Sequence, residues 1–449
     1  MHKRLIFLVF IFPAFLSSPC LPAVPSDNLP VKREVMVITV NGIINPVAAE
    51  YIGASIRMAD EINAAKLQGK KTRERIEALV IKLDTPGGLD TSMRDIVRGI
   101  ISSGVPVIVF VAPSGARAAS AGVFITMAAH VAAMAPGTNI GAAHPVSMGG
   151  KMDKVMSDKA TNDAAAYIRS IAHERGRNAE WAEEAVRKSV SITDTEALKQ
   201  DVIDLIARDT GSLLSGVDGR TVKTASGEKV LRTAHAKIIE HEMGIRDRIL
   251  DLISNPNVAY ILVLLGFYGL FFELTNPGAI FPGVVGGICL ILGFYALQTL
   301  PVNYAGLLLI VLGIVLFVLE VKIISHGLLT IGGITSLVLG SLMLFESSAP
   351  FYKLSLAIVL PAALVTALFF IFTFRLAYKA YRRKPVTGTE GLVGLEGVAK
   401  TDVTPDGGMV FVHGEIWSAY ADDVIRKGAR VVVEEVKGLK VKVKELRTS

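Results

Sequence analysis

The first half of the chain alternates short apolar runs with longer amphipathic stretches. Long uninterrupted apolar segments follow, and the chain ends in brief runs of alternating apolar and polar residues. Val35–Val40 and Ala78–Leu83 are short, rich in β-branched residues and closed by turn sequences, Asn41-Gly42 and Asp84-Thr85-Pro86-Gly87-Gly88; with Val105–Val111 they predict strands. Ala48–Leu67 and Thr91–Ser102, lying between them, predict helices. Such alternation predicts a mainly parallel sheet buried on both faces, extending over 35–208, with function at the turns after the strands. Residues 209–257 begin polar and glycine-rich and are expected to be a linker.

The middle of the chain has a different character. Apolar segments fall at Val258–Phe272, Ile280–Leu297, Tyr304–Leu319, Leu328–Phe345 and Leu354–Phe374, against a membrane span of about 20 residues. At the N-terminus, Lys3 and Arg4 precede the apolar stretch Leu5–Leu16, and small residues and prolines run on to Ala23, the layout of a secretory signal peptide over 1–23. Arg375, Lys379, Arg382, Arg383 and Lys384 follow the last apolar segment and belong on the cytoplasmic side by the positive-inside rule. An exported N-terminal domain then needs an odd number of spans, and five satisfies both signals. Beyond the basic cluster, Val393–Ala399, Met409–Val412, Glu415–Tyr420, Arg430–Glu434 and Lys440–Lys444 predict a small closed barrel of OB type over 386–449.

Composition sharpens this division. Of the 449 residues 51% are hydrophobic and only 20% charged, where an average soluble domain carries about 25% charged residues. A wholly soluble enzyme and a disordered chain are both excluded. The net charge of +6 raises the question of nucleic acid, but aromatics are 7% and, before the cluster at 375–384, only Lys70–Arg75 forms a basic run. Phe411, Trp417 and Tyr420 sit at strand positions where packing in the barrel core is expected, so an interaction module is preferred to a nucleic-acid binder. Cys20 lies at the end of the N-terminal apolar segment and Cys289 in a later one, and the scattered histidines suggest no metal site.

Three features of the first domain carry chemistry. In the turn Asp84–Leu89 the paired glycines Gly87 and Gly88 let backbone N–H groups face a ligand. Ser120, flanked by Ala118, Ala119, Ala121 and Gly122, opens an apolar helical run read through Met134, where the helix dipole favours a developing oxyanion; the same serine would serve as a plain helix cap. Lys159 heads the helical stretch Lys159–Arg175, where dipole and desolvation favour a neutral amine suited to a general base, although a surface lysine fits the same position.

Asp84–Leu89, Ala112–Gly122, Gly137–Val146, Lys159–Asn178 and Ile192–Asp204 together resemble the long form of the NfeD family, membrane-bound serine proteases with a Clp-protease-like domain, a multi-span region and a C-terminal OB-fold domain. The resemblance covers nearly the whole mature chain. It implies an α/β Clp/crotonase-like first domain, Ser120 as nucleophile, Lys159 as general base and the Gly87–Gly88 turn as oxyanion-hole loop, with no cofactor or metal. His144 competes for the role of base, because soluble Clp proteases use a Ser-His-Asp triad. The stretch resembling the one that supplies their aspartate, Arg187–Ser191, holds no carboxylate, so His144 is expected to line the pocket or position substrate. The family further implies hydrophobic peptide segments as substrates and a stomatin-like (SPFH) partner, and because Clp-like domains associate a homo-oligomer is expected; the signal peptide and the basic cluster place the chain in the cytoplasmic membrane with the protease domain outside and the barrel inside. A non-catalytic membrane scaffold, a Ser-His hydrolase and a crotonase-type acyl-CoA enzyme remain the alternatives, the last short of a CoA supply for an exported domain. Lipid headgroups are a further partner of the basic run.

Overall fold

The computed structural model describes residues 32–67, 74–147, 153–275, 278–298, 300, 302–323, 325, 327–345, 352–381 and 389–446. The expected signal peptide at 1–23, with Cys20, and the basic residues Arg382, Arg383 and Lys384 lie outside them.

The apolar runs become the strands of a six-stranded parallel sheet. They are β1 (Lys32–Asn41), β2 (Glu74–Asp84), β3 (Val107–Val111), β5 (Val131–Met134) and β8 (Leu205–Ile206), with β11 (Lys237–Glu240) at the edge, in the order β11-β1-β2-β3-β5-β8. A three-stranded sheet of β4 (Arg117–Ala119), β6 (Asn139–Gly141) and β7 (Ser191–Thr193) lies beyond the strand ends. Successive residues of the main strands feed opposite faces: Met36, Ile38, Leu79 and Ile81 enter one core, Val35, Val37, Ala78 and Val80 the other. Burial on both faces is why these strands read as unbroken apolar runs. The first face is covered by α1 (Pro46–Leu67), α2 (Asp90–Ser102), α3 (Ala121–Ala128), α4 (Lys154–Arg175) and α5 (Ala179–Arg187). A short α6 (Asp194–Lys199) closes the turn before β8.

Two sequence expectations need correction. The apolar helical run from Ser120 to Met134 is two elements: α3 ends at Ala128, and Val131–Met134 is β5. The segment 209–257 is not a linker throughout. Its α7 (Thr210–Val217) lays Leu213, Leu214 and Val217 on the second sheet face, β9 (Thr221–Thr224) and β10 (Gly227–Val230) form a hairpin, and β11 pairs with β1. The α/β domain therefore extends to the end of β11, and α8 (Ile245–Ile253) leads to the apolar helices.

Those helices are α9 (Pro256–Thr275), α10 (Ile280–Gln298), α11 (Tyr304–Lys322), α12 (Leu328–Met343) and α13 (Leu356–Tyr381). Pro256–Leu274 and Ile280–Gln298 are long and apolar enough to cross a membrane, whereas the apolar stretches in the other three, 304–320, 328–343 and 356–372, are shorter. α9 and α10 form a hairpin in which a Cβ on Gly269 would lie 2.5 Å from the Pro282 carbonyl oxygen and one on Gly286 2.9 Å from the Gly269 Cα. Only glycine permits that approach, as expected where helices associate without a hydrophobic driving force.

The C-terminal region starts with α14 (Thr389–Leu392) and closes as a barrel of β12 (Glu396–Ala399), β13 (Gly408–Val412), β14 (Glu415–Tyr420), β15 (Arg430–Lys437) and β16 (Lys440–Glu445), in the order β12-β13-β14-β16-β15. Val410, Val412, Ala419, Val431, Val433, Val441 and Val443 fill it at period two. Trp417 packs against this core, but Phe411 points out of the barrel with the Lys400 ammonium 5.2 Å from its ring centre, contrary to the expectation of core packing.

Candidate active site

The main sheet delivers β2 and β3 side by side, and the small sheet is stitched to the turn after β2. Thr85 N–H donates to Arg117 O at 2.8 Å and Ala119 N–H to Thr85 O at 3.0 Å. The Asp84–Leu89 turn and the Ser120 elbow thus share one backbone ladder, although more than thirty residues separate them in sequence.

Ser120 stands between β4 and α3 with φ 52 and ψ −113. This conformation costs a non-glycine residue on the order of 1–3 kcal/mol and survives only where the surroundings fix it. Here Ser120 N–H donates to Gly141 O at 3.1 Å, and Ser120 O accepts from Val123 N–H at 3.0 Å. Its side chain makes no cap hydrogen bond, so the plain helix-cap reading is not what the geometry shows. α3 behind it is buried at every residue, a rigid support for a half-buried hydroxyl.

The turn after β2 divides its donors. Gly87, at φ 127, gives its N–H to Thr85 Oγ1 at 3.0 Å, and Gly87 O accepts from Ile44 N–H at 2.9 Å. Ile44 O accepts from Leu89 N–H at 2.9 Å, leaving Gly88 between the two bonds with its own N–H unengaged among the described residues. A Cβ on Gly88 would lie 2.1 Å from Ile44 O, so no other residue fits. At the elbow, Ala121 is the first residue of α3, and its N–H has no acceptor within the helix. Gly88 and Ala121 are therefore the donors free to meet an oxyanion, and Gly87 shapes the turn. Ala121 escaped the sequence reading because a backbone donor leaves no residue-type signal; its place directly after the serine was the available clue.

His144 reaches the same neighbourhood through β6. After Gly141, Ala142 N–H bonds Val190 O at 3.0 Å and Ala143 N–H bonds Ala185 O at 2.9 Å, which fixes the strand exit. His144 Nδ1 lies 2.9 Å from Val186 O. A carbonyl oxygen only accepts, so Nδ1 carries a proton, and in the neutral ring Nε2 is the acceptor. The partner that orients this imidazole is a carbonyl and not a carboxylate.

Lys159 departs from the sequence reading. The helix begins at Lys154, capped by Asp153, whose side chain accepts from Met156 N–H at 2.9 Å, so Lys159 sits in the second turn rather than at the start. It is exposed, and the first-turn dipole that was expected to act on it falls on Lys154 to Met156 instead. α4 is held against α3 by Phe124 and Tyr167, stacked with ring centres 6.0 Å apart, and against α2 by Arg94, which bonds Asp163 at 2.5 Å and lies 4.5 Å from the Tyr167 ring centre. Thus Ser120, the Gly87–Gly88 turn and His144 are joined by hydrogen-bonded backbone, and Lys159 comes on a helix packed alongside. Among the described residues no group of three or more His, Cys, Asp or Glu is placed to hold a metal ion.

Comparison with known proteins covers 97% of the chain. Residues 34–224 match the N-terminal domain of NfeD1b, 257–376 the NfeD integral membrane domain and 389–445 the NfeD-like C-terminal, partner-binding domain. Membrane-bound protease PH1510 of Pyrococcus horikoshii is 35% identical over 450 residues, covering 97% of this chain and 97% of that one. Membrane protein NfeD1b of Bacillus subtilis is 25% identical over 433 residues, with 92% and 93% covered. Among solved structures, a lysine-to-alanine mutant of 1510-N, a membrane-bound stomatin-specific protease, in complex with a substrate peptide, is 34% identical and covers 49% of this chain and 98% of that chain at a TM-score of 0.43.

Proposed function

The chain belongs to the NfeD family and is a membrane-bound serine peptidase, and we propose that it cleaves hydrophobic segments of membrane-associated proteins with Ser120 as nucleophile and Lys159 as general base. The observation that carries this reading is the Ser120 elbow: a serine held at φ 52 at the head of a buried helix, followed by the Ala121 N–H and joined by a backbone ladder to the turn whose Gly88 N–H is unengaged among the described residues.

In the proposed cycle the neutral Lys159 amine takes the Ser120 Oγ proton as the oxygen attacks the peptide carbonyl. The Gly88 and Ala121 N–H groups bond the resulting oxyanion, a contribution of about 3 kcal/mol for one such donor. The protonated Lys159 then gives its proton to the leaving amine, and water, with Lys159 again as base, hydrolyses the acyl-enzyme. Lys159 is exposed, so covering its amine falls to the apolar substrate itself, which couples substrate hydrophobicity to activation of the base.

A second reading makes His144 the base. Its Nδ1–H···O contact with Val186 presents Nε2 as an acceptor, which is the tautomer a Ser-His pair requires. The missing carboxylate weighs against it, and substrate positioning is the role assigned to His144 here.

The name of the relative 1510-N as stomatin-specific, and the partner-binding description of the matching C-terminal domain, support a stomatin-like partner. We place the chain in the cytoplasmic membrane with five spans, the peptidase domain outside and the barrel inside, after removal of residues 1–23, and expect subunits to associate through the peptidase domain. A reporter fused after residue 384 and read as extracytoplasmic would sink this topology.

The test of the activity is phosphonylation of the full chain in detergent by a fluorophosphonate, with loss of fluoride, and, in a separate sample, hydrolysis of a chromogenic hydrophobic peptide. Wild type should label and turn over, and Ser120→Ala should do neither. Equal labelling of the Ser120→Ala protein would put the reactive nucleophile elsewhere and overturn the Ser120 reading.

A further inference from the structure

α8 has two faces with different destinations. At 100° per residue, Ile245, Ile249 and Leu252 fall within about 60° of one another, and they are 80%, 50% and 61% exposed. Arg246 and Arg248 flank this stripe, one on each side, Arg248 paired with Glu242 at 2.8 Å. The opposite face holds the peptidase domain: Asp251 Oδ1 accepts from Asn45 Nδ2 at 2.8 Å, and Asn45 Oδ1 in turn caps α1 by accepting from Ala48 N–H at 2.8 Å. Only Ser254 and Asn255 separate α8 from α9, the helix long and apolar enough to enter a membrane.

We propose that α8 lies in the surface of the bilayer that α9 enters, with Ile245, Ile249 and Leu252 among the acyl chains, and that it seats the peptidase domain on the lipid. The occupant follows from continuity. Leu252 is four residues before the start of α9, so the stripe cannot be far from the headgroups once α9 is inserted. A narrow apolar stripe, a polar face turned to the protein and arginines at the boundary are the pattern of an interfacial helix, since arginine extends its charge to the headgroups while its stem stays apolar. The consequence is a peptidase domain held against the lipid by a helix bonded to the residue next to Ile44, which itself brackets Gly88.

The full chain, with its native cysteines replaced by serine, would be reconstituted in anionic phospholipid vesicles and spin-labelled in turn at Ile249→Cys, Leu252→Cys and Arg246→Cys. Labels at 249 and 252 should be relaxed more by oxygen than by a water-soluble nickel complex, and the label at 246 the reverse. Nickel access at 249 and 252 equal to that at 246 would overturn the proposal. So would dipolar broadening between labels at 249, which would put a second copy of the chain on the stripe in place of lipid. These readouts do not depend on catalysis, so their failure is distinct from failure of the Ser120 reading.

Discussion

Ser120 donates its backbone N–H to the carbonyl of Gly141 at 3.1 Å, and this bond ties the strained serine to the strand that leads to His144. The same strand pair, β4 beside β6, is bonded to the turn after β2, so Ser120, the Gly87–Gly88 turn and His144 share one hydrogen-bonded backbone framework. Lys159 belongs to a different element, α4, and the two candidate bases are therefore separable by mutation. Lys159→Ala should lower kcat for a hydrophobic peptide by at least 100-fold, within the roughly 10²–10⁴-fold contribution of a general base. His144→Ala should leave a measurable kcat and mainly raise KM. The reverse pattern in steady-state kinetics would make His144 the base.

Gly88→Ala tests the division of donors in the turn. The added methyl group meets Ile44 O at 2.1 Å, so the turn must open and the Gly88 N–H must swing from its place. We expect kcat to fall by about 100-fold or more, as for loss of one oxyanion donor, with circular dichroism unchanged and fluorophosphonate labelling slowed. Gly87→Ala acts through the φ of 127 and the Thr85 bond, and so should show in thermal stability as well as in rate.

Much of this was legible in the residues. Val35–Val40 and Ala78–Leu83 were readable because a strand buried on both faces needs apolar residues at every position and a turn at its end. Ser120 and the Gly87–Gly88 pair were readable because elbows and tight turns select small residues. The break between α3 and β5 was not: Ala128, Ala129 and His130 include no glycine or proline, and both elements are apolar on all sides, so periodicity has nothing to distinguish. β11 was hidden for a different reason, since an edge strand of only four residues, half of them charged, resembles a linker. Lys159 was misplaced on its helix because the Asp153 cap lies six residues earlier, in a polar stretch without hydrophobic periodicity.

His130 gives the fold a pH dependence. Burial, with Arg175 and Arg177 nearby, pushes its pKa down to about 3, and Val107 N–H donates to Nδ1 at 3.1 Å, which requires a lone pair there. The unfolded chain binds this proton near pH 6.5. Between these values the unfolded state holds more protons than the folded one, so the contribution is complete above about pH 6.5 and is lost as pH falls toward 3. His130→Asn keeps an acceptor for Val107 and cannot titrate. Its stability, followed by pulse proteolysis of the full chain in detergent, should change less between pH 6.5 and 4 than that of wild type. Parallel curves for the two proteins would contradict this assignment.

Arg177 closes the end of α3. Its buried guanidinium donates to Met127 O at 2.7 Å, Ala129 O at 2.8 Å and Asp204 Oδ2 at 2.7 Å, and Asp204 also accepts from Ala132 N–H at 2.8 Å. Arg177→Ala removes the donor of two helix-end carbonyls and one of several partners of Asp204, and should destabilise the peptidase domain by about 2 kcal/mol, in the range for buried acceptors left without a donor. Because α3 supports Ser120 from its other end, residual activity at low temperature should be near wild type while the midpoint of thermal inactivation drops. An unchanged midpoint would show that the carbonyls find other partners.

The bond between Asp251 and Asn45 connects the helix before the apolar region to the Gly87–Gly88 turn. Asn45 follows Ile44, and Ile44 brackets Gly88 through its bonds to Gly87 and Leu89. Removing the acceptor with Asp251→Ala loses a hydrogen bond of about 1 kcal/mol, equivalent to roughly a fivefold change in rate if the whole effect reaches the transition state. In the proposed cycle Gly88 meets the oxyanion and not the bound peptide, so the loss should appear in kcat with KM little changed. Asp251→Asn retains an oxygen acceptor for Asn45 and should restore most of the rate. If both variants lower kcat equally, the carboxylate charge and not the hydrogen bond is what α8 contributes; if neither does, the turn is held by the Ile44 bonds alone.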